Sequence, residues 1–414
     1  MSSRSDHASQ NPIAPHSPRS GHIIFILALA SMVGMLNVGS FGAFMTAISR
    51  DLDVSIPLLG QIQTLIFLGA AGVSLLAGPL ADKHGKRRII IIGLSAIVIS
   101  SIGTMLAPSY GWLLATRLIS VVSAGMLAGT TLATAGSLFD GADRRRAMSW
   151  IASGIAAGPI IGIPMLTLVA SLSSWRVSYG VLAALALVWI FLLRRVIPDD
   201  GTRSEHRIKV EEIVAAYRPL LADKSMLRLY GATLTRAICW IGILTYVGAY
   251  LGDELGISTR EIGWSFMVGG SGYFIGTKLA GTRLGEVNLR VLVGLSSIAM
   301  GTFISLAVTM PVGAAGAVGF LTIGAIAGGL GFVGLITLVS AESPAGQGTT
   351  MSLNSAMFML GSSFGGLLGG LLIAVGGYGA LGVGLLGFSI VSTSLVWQPW
   401  LALRRALPSR AVIE

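Results

Sequence analysis

The stretch that decides the fold is "GPLADKHGKRR", Gly78 to Arg88. It lies between two apolar runs, "SLLA" before it and "IIIIGLSAIVIS" after it, and it carries one acid beside Lys83, His84, Lys86, Arg87 and Arg88. The whole chain explains such an island. Of its 414 residues 53% are hydrophobic and only 11% are charged, where a soluble domain carries charge on about a quarter. This is the composition of a polytopic membrane protein. A net charge of +10 would suggest nucleic acid in a soluble chain. Here the cations cluster in short loops between apolar runs, as the positive-inside rule requires, and no nucleic-acid partner is expected. The single cysteine, Cys239, excludes an intrachain disulfide framework and any cysteine-based metal motif.

A bilayer core about 30 Å thick takes roughly 20 apolar residues in a helix. Runs of that kind fall near 22–48, 58–80, 89–107, 111–138, 147–170 and 176–194, then near 227–250, 260–281, 289–309, 312–340, 348–374 and 379–402. The fold class expected is therefore all-α, with twelve transmembrane helices in two pseudo-symmetric six-helix bundles. Barrel strands would show alternating segments of about 10 residues instead. Residues 1–21, rich in Ser, Pro and His, read as a disordered cytoplasmic tail. The two bundles are expected at 22–194 and 227–402, joined by a cytoplasmic linker at 195–226 and followed by a tail at 403–414. Within the linker, "IKVEEIVAAYRPLL" has the rhythm of a short amphipathic helix. With the N-terminus cytoplasmic, 23 of the 28 Lys and Arg fall on the cytoplasmic side. That asymmetry puts both termini inside a bacterial inner (plasma) membrane crossed many times.

The halves repeat. Ser137 and Ser340, Met148 and Met351, and Ser149 and Ser352 are each 203 residues apart, and the same offset carries Gly158 to Gly361 and Gly162 to Gly365. Parallel repeats of this kind place a transport site at their interface.

On these residues the chain resembles the major facilitator superfamily. "GPLADKHGKRR" is similar to that family's motif A. Gly78, Leu80, Ala81, Asp82, Gly85, Lys86 and Arg87 match, and Lys83 stands in place of Arg. The residue types suit the position: Gly78 allows close helix approach, Asp82 suits a helix N-terminus, Gly85 permits a tight turn, and the cations can hold lipid headgroups. The resemblance implies that Gly78, Asp82, Gly85, Lys86 and Arg87 form a conformational latch, with Asp82 near the start of span eleven. The corresponding loop of the second half, "LAGTRLGEVNLR", has Gly281 where the acid would stand, so the latch is expected on one half alone.

Span four holds "RLISVVSAG", which resembles motif B and makes Arg117 a coupling candidate; snorkelling to the interface is the other reading. Span five holds "GIAAGPIIGIPMLTLV", which resembles motif C of the exporter branch, with Ile163 where a second Gly often stands. Gly154, Gly158 and Gly162 share one face beside Pro159, and span eleven repeats Gly361 and Gly365 without the proline; helix packing and gating are both open. "SSWRVSYG" resembles the Trp-Arg entry to span six of sugar- and drug-efflux permeases, so the type resembled most is the drug:proton antiporter or arabinose (sugar) efflux permease.

All 18 acids fall in tails, loops or span edges. Span one offers Asn37 where many proton-coupled exporters carry a carboxylate, and an amide carries no proton in this pH range. The embedded charges are Arg117 and Arg236, and Arg236 lies near mid-membrane, where a charge is expensive. Its fork suits a carboxylate or phosphate; a structural role on carbonyls and on Thr233 and Thr235 is the other reading. Asn37, Gln63, Arg236, Trp240 and Tyr246 are the candidates for a substrate cavity. No nucleophile, metal cluster or phosphate loop appears, so no enzyme activity, cofactor or metal is expected. The expected function is export of a small organic solute, drug- or sugar-like, by rocker-switch alternating access, as a monomer in the lipid bilayer with protons as the coupling ion. Two other readings stay open: an organic-anion uptake or exchange carrier using Arg236, and a non-transporting membrane receptor.

Overall fold

The computed structural model describes residues 18–138, 147, 150–151, 153–197, 217–283, 288–345 and 347–406. Ten of its helices are long and apolar enough to cross a membrane. One of these runs is broken at Gly376 and Gly377, the latter at φ 65°, and so forms spans eleven and twelve inside Gln347–Ala406. Thr259–Arg283 completes the dozen as span eight. It falls short of the others in apolarity because Gly, Ser, Thr and Tyr replace aliphatic residues along it, and it turns part of that surface inward.

Local chemistry sets the helix ends. Span one, Pro18–Leu52, begins four residues upstream of the expected His22, and the first 17 residues lie outside the described set. Span two, Ile56–His84, starts with Pro57 in its first turn, where a missing N–H is harmless. It stops at Gly85, whose φ of 88° favours glycine and whose N–H closes on the Ala81 carbonyl at 2.9 Å. Span three is Lys86–Met105. Span four is Tyr110–Leu118 continuing as Ser120–Leu138 after a slip at Ile119. Span five passes through a wide π-type turn, Gly158–Gly162, into Ile163–Leu172. Pro159 and Pro164 withhold N–H groups there, which is what such a turn accommodates. Ser174 caps span six, Trp175–Val196; Asp223 caps span seven, Lys224–Ala249; Asn288 caps span nine, Leu289–Thr309. Span ten is Gly313–Ala341. Most of the expected linker helix, residues 208–216, lies outside the described residues; 217–222 are helical.

The two halves pack alike. Span two lies on span four as span eight lies on span ten, and span three lies on span six as span nine lies on span twelve. The glycine stripes do the same work in both. Gly154, Gly158 and Gly162 run span five along Ala28, Met35 and Leu36 of span one; Gly361 and Gly365 run span eleven along Leu234 and Ile238 of span seven. A Cβ at Gly365 would stand 2.8 Å from the Ile238 carbonyl oxygen, so each stripe sets how closely its two helices approach.

The halves meet through spans one and seven, two and eleven, and five and eight. These ties gather toward the end opposite Pro18 and Ala406, here called the far end. There Gly42 lies on the Leu244 and Thr245 carbonyls, Ser363 donates to the Thr64 carbonyl at 2.9 Å, and Arg50 pairs with Asp253 at 3.3 Å. Arg50 and Asp253 are 203 residues apart, the offset of the repeat. A residue can touch its own repeat-mate only close to the pseudo-twofold axis, so this pair marks where the axis leaves the far end.

Candidate functional site

Spans seven to eleven line a pocket around Arg236. The guanidinium is buried, 5% exposed, and held by neutral groups: Nη1 donates to Ser297 Oγ at 2.8 Å, and Nη2 to the carbonyls of Gly328 at 2.5 Å and Ala327 at 3.3 Å. Gly331 makes the room, since a Cβ there would stand 2.7 Å from Nη1. Thr235, expected beside it, turns back to the Gly231 carbonyl instead, and Thr233 donates to Asn354 Oδ1 at 2.8 Å. An arginine without an acid costs several kcal/mol at this depth. Carbonyl dipoles offset part of that and leave the charge in place.

Aromatic rings make up the rest of the wall. Trp240 stacks on Tyr273 with centroids 5.0 Å apart and planes at 23°. Tyr273 reaches Phe332 at 6.2 Å, and Phe332 meets Phe358 edge-on at 6.3 Å. Trp240 and Phe358 also pack with Val38 and Phe67 of the first half, so the pocket borders the seam between the halves. It lies on the terminus-bearing side of the far-end contacts: Arg236 and Trp240 precede Leu244 on span seven, and Asn354 and Phe358 precede Ser363 on span eleven.

The other cavity candidates stand elsewhere. Asn37 is fully buried and spent on Arg117, its Oδ1 accepting from Nη1 at 3.2 Å and its backbone carbonyl from Nη2 at 2.8 Å, while its Nδ2 donates to Ser123 Oγ at 3.1 Å. Arg117 is fully buried, with Phe41 and Tyr179 rings 5.1 and 5.5 Å away, so it does not snorkel; its Nε has no partner among the described residues. Gln63 donates to the Val38 carbonyl at 2.9 Å and stitches span two to span one. Tyr246 sits in the far-end seam, its hydroxyl donating to the Gly366 carbonyl at 2.6 Å. Of the five cavity candidates, the structure brings together Arg236 and Trp240. Sequence reasoning missed Tyr273, Phe332, Asn354 and Phe358, which come from three different spans and share no motif.

In the "GPLADKHGKRR" loop, Arg87 Nη2 donates to the Arg194 carbonyl at 2.7 Å, placing a cation at the C-terminal end of span six, where the helix dipole favours it. The backbones of Gly78 and Asp82 are helical; the Asp82 side chain, and with it the expected approach to span eleven, lies outside the described residues. Trp175 and Arg176 both donate to Asp51 and so tie span six to span one at the far end. Among the described residues, the buried charged side chains are Arg117 and Arg236, with no buried acid beside them.

Comparison with known proteins agrees with this architecture. The model of the Major Facilitator Superfamily matches residues 27–351. The uncharacterized MFS-type transporter YbcL of Bacillus subtilis is 22% identical over 62% of this chain, which spans 65% of that relative. The chloramphenicol efflux pump Rv0191 of Mycobacterium tuberculosis is 24% identical over 94% of this chain and 96% of its own. A crystal structure of a D-xylose–proton symporter superposes with a TM-score of 0.71 at 17% identity, covering 91% of this chain and 97% of that one.

Proposed function

The chain belongs to the Major Facilitator Superfamily, and on that premise we propose that it exports a small organic solute across the bacterial inner membrane by rocker-switch alternating access. One observation carries the reading: the halves close against each other at the far end, and the Arg236–Trp240 pocket lies on the other side of that closure, at the seam. With both termini cytoplasmic, a reading the loop charges support, this is the state that would load solute from inside. Residues 22–194 and 227–402 are then the two rocking bodies, and Gly78, Asp82, Gly85, Lys86 and Arg87 the inner latch. Rv0191, named as an efflux pump, shares nearly the full length, which supports export.

Protons are the proposed coupling ion. An arginine keeps its proton throughout this range, so Arg117 would act as a fixed charge that biases its surroundings rather than as a carrier. The second reading, exchange of organic anions, draws on the acid-free setting of Arg236. Proteoliposome flux with and without an imposed pH gradient separates the two. Gradient-driven export that Arg236→Ala slows without removing its dependence on the gradient is the expected result. Exchange indifferent to the gradient and abolished by Arg236→Ala would replace export with anion exchange, and absence of flux for every solute would sink both.

A further inference from the structure

We infer that the pocket takes flat aromatic solutes that are anionic or uncharged, and that it rejects organic cations. The inference rests on the transporter reading for its biological sense, but its ligand chemistry stands on the pocket itself.

Two independent features point the same way. The first is shape and surface. Trp240 and Tyr273 stack on each other and present one outer ring face to the pocket, and Phe332 and Phe358 continue the wall at steeper angles, so a planar ring meets a stacking face and edge contacts once the halves part enough to admit it. Sugars present hydroxyls that need several fixed polar partners. Among the described residues the polar groups of the lining are Thr233, Asn354, Arg236, the Tyr273 hydroxyl and the Trp240 indole N–H, and the Thr233 hydroxyl is already engaged with Asn354, which leaves few acceptors for a ring of hydroxyls. The second feature is charge. Ser297 and two carbonyls hold the guanidinium without neutralising it, and among the described residues no acid lines the pocket. Three of five N–H donors are thus committed. The charge acts through a low-dielectric surrounding, where a nearby full positive charge is felt far more strongly than in water. An aromatic cation would gain from the ring faces, yet it would have to sit beside an uncompensated Arg236. An aromatic carboxylate gains on both counts.

The test uses the full chain in lipid nanodiscs and three probes of one shape: 1-naphthoate, 1-naphthylmethanol and 1-naphthylmethyl-trimethylammonium, each measured by equilibrium dialysis. The expected order is anion, neutral, cation, with at least about tenfold between the first and last, the equivalent of 1.4 kcal/mol. Arg236→Gln is expected to bring the anion to the affinity of the neutral probe, and Trp240→Ala to weaken all three by a similar factor. A cation that binds as tightly as the anion overturns the inference, and so does an anion preference that persists in Arg236→Gln. Should Arg236→Gln fail to give monodisperse protein, the wild-type order and Trp240→Ala decide: affinities untouched by Trp240→Ala overturn it. The expected binding order without flux in proteoliposomes would refute the transporter reading and leave the ligand class standing; flux restricted to the cationic probe would do the reverse.

Discussion

Replacing Gly42 with alanine tests how the far end is held shut. A methyl at Gly42 would stand 2.6 Å from the Leu244 carbonyl oxygen and 3.1 Å from that of Thr245, where ordinary contact begins at 3.4 Å. Spans one and seven must therefore separate by about 0.8 Å on that side, the difference between 3.4 and 2.6 Å. Overpacking of this kind costs about 1–3 kcal/mol. The cost falls on the state in which these spans touch, so the ratio of far-end-open to far-end-closed protein should rise about 5- to 150-fold. The Arg50–Asp253 pair is the competing explanation for closure. At 3.3 Å but with Arg50 72% exposed, it belongs to the class worth about 0–1 kcal/mol, so Arg50→Gln should shift the ratio no more than about fivefold. Closure is then steric, with the ion pair marking the axis. Ser363→Cys reports it, because Ser363 is buried in the seam at 4% exposure. An impermeant maleimide, added from the side opposite the termini, should label Ser363→Cys faster in the Gly42→Ala background by that factor. Labelling unchanged by Gly42→Ala, or raised more by Arg50→Gln, would refute this reasoning. Gly154→Ala is the control: its methyl would crowd the Ala28 carbonyl within the first half, so it should lower thermal stability without changing the labelling.

Three further outcomes are expected. Asp82→Asn should cut flux more than about tenfold while equilibrium binding stays within about twofold, since a latch acts on the transition between states. Gly361→Val should lower the melting temperature through about 1–3 kcal/mol of overpacking against Ala237, whose Cβ would lie 2.8 Å from the new Cβ. Gly331→Ala, whose methyl would crowd both Ser296 Oγ and the Arg236 guanidinium, should displace that guanidinium and reduce the preference for 1-naphthoate over the neutral probe, as dialysis would show.

The fold was readable because spans announce themselves by length and apolarity, and because the repeat offset ties Gly158 and Gly162 to Gly361 and Gly365. The turn between spans eleven and twelve was expected near 375–378, and it is there that Gly376 and Gly377 break the run. The start of span one was placed late because "PRSG" is polar, yet it forms the first turn of a helix. The site was readable only in part. Arg236 stands out because a charge in an apolar run is rare. Its partners do not, since two of them are backbone carbonyls, which carry no sequence signal. Tyr246 and Trp240 look alike in the sequence, each a large amphipathic ring on span seven. A few residues along the helix separate a seam from a pocket, and the difference is set by what span eleven presents opposite: Gly366 against Tyr246, and Phe358 near Trp240. Asn37 lies at the right depth, but its amide faces Arg117, a pairing between spans one and four that no motif encodes.

Pulsed electron–electron double resonance in nanodiscs tests the central claim most directly. One label pair sits at the terminus-bearing end, on exposed Phe25 and Leu227, and the other at the far end, on exposed Leu106 and Met310. If the halves rock about the Arg236 pocket, saturating 1-naphthoate together with Gly42→Ala should shorten the first distance and lengthen the second in the same population. Two distances that stay fixed, or that lengthen together, would contradict it.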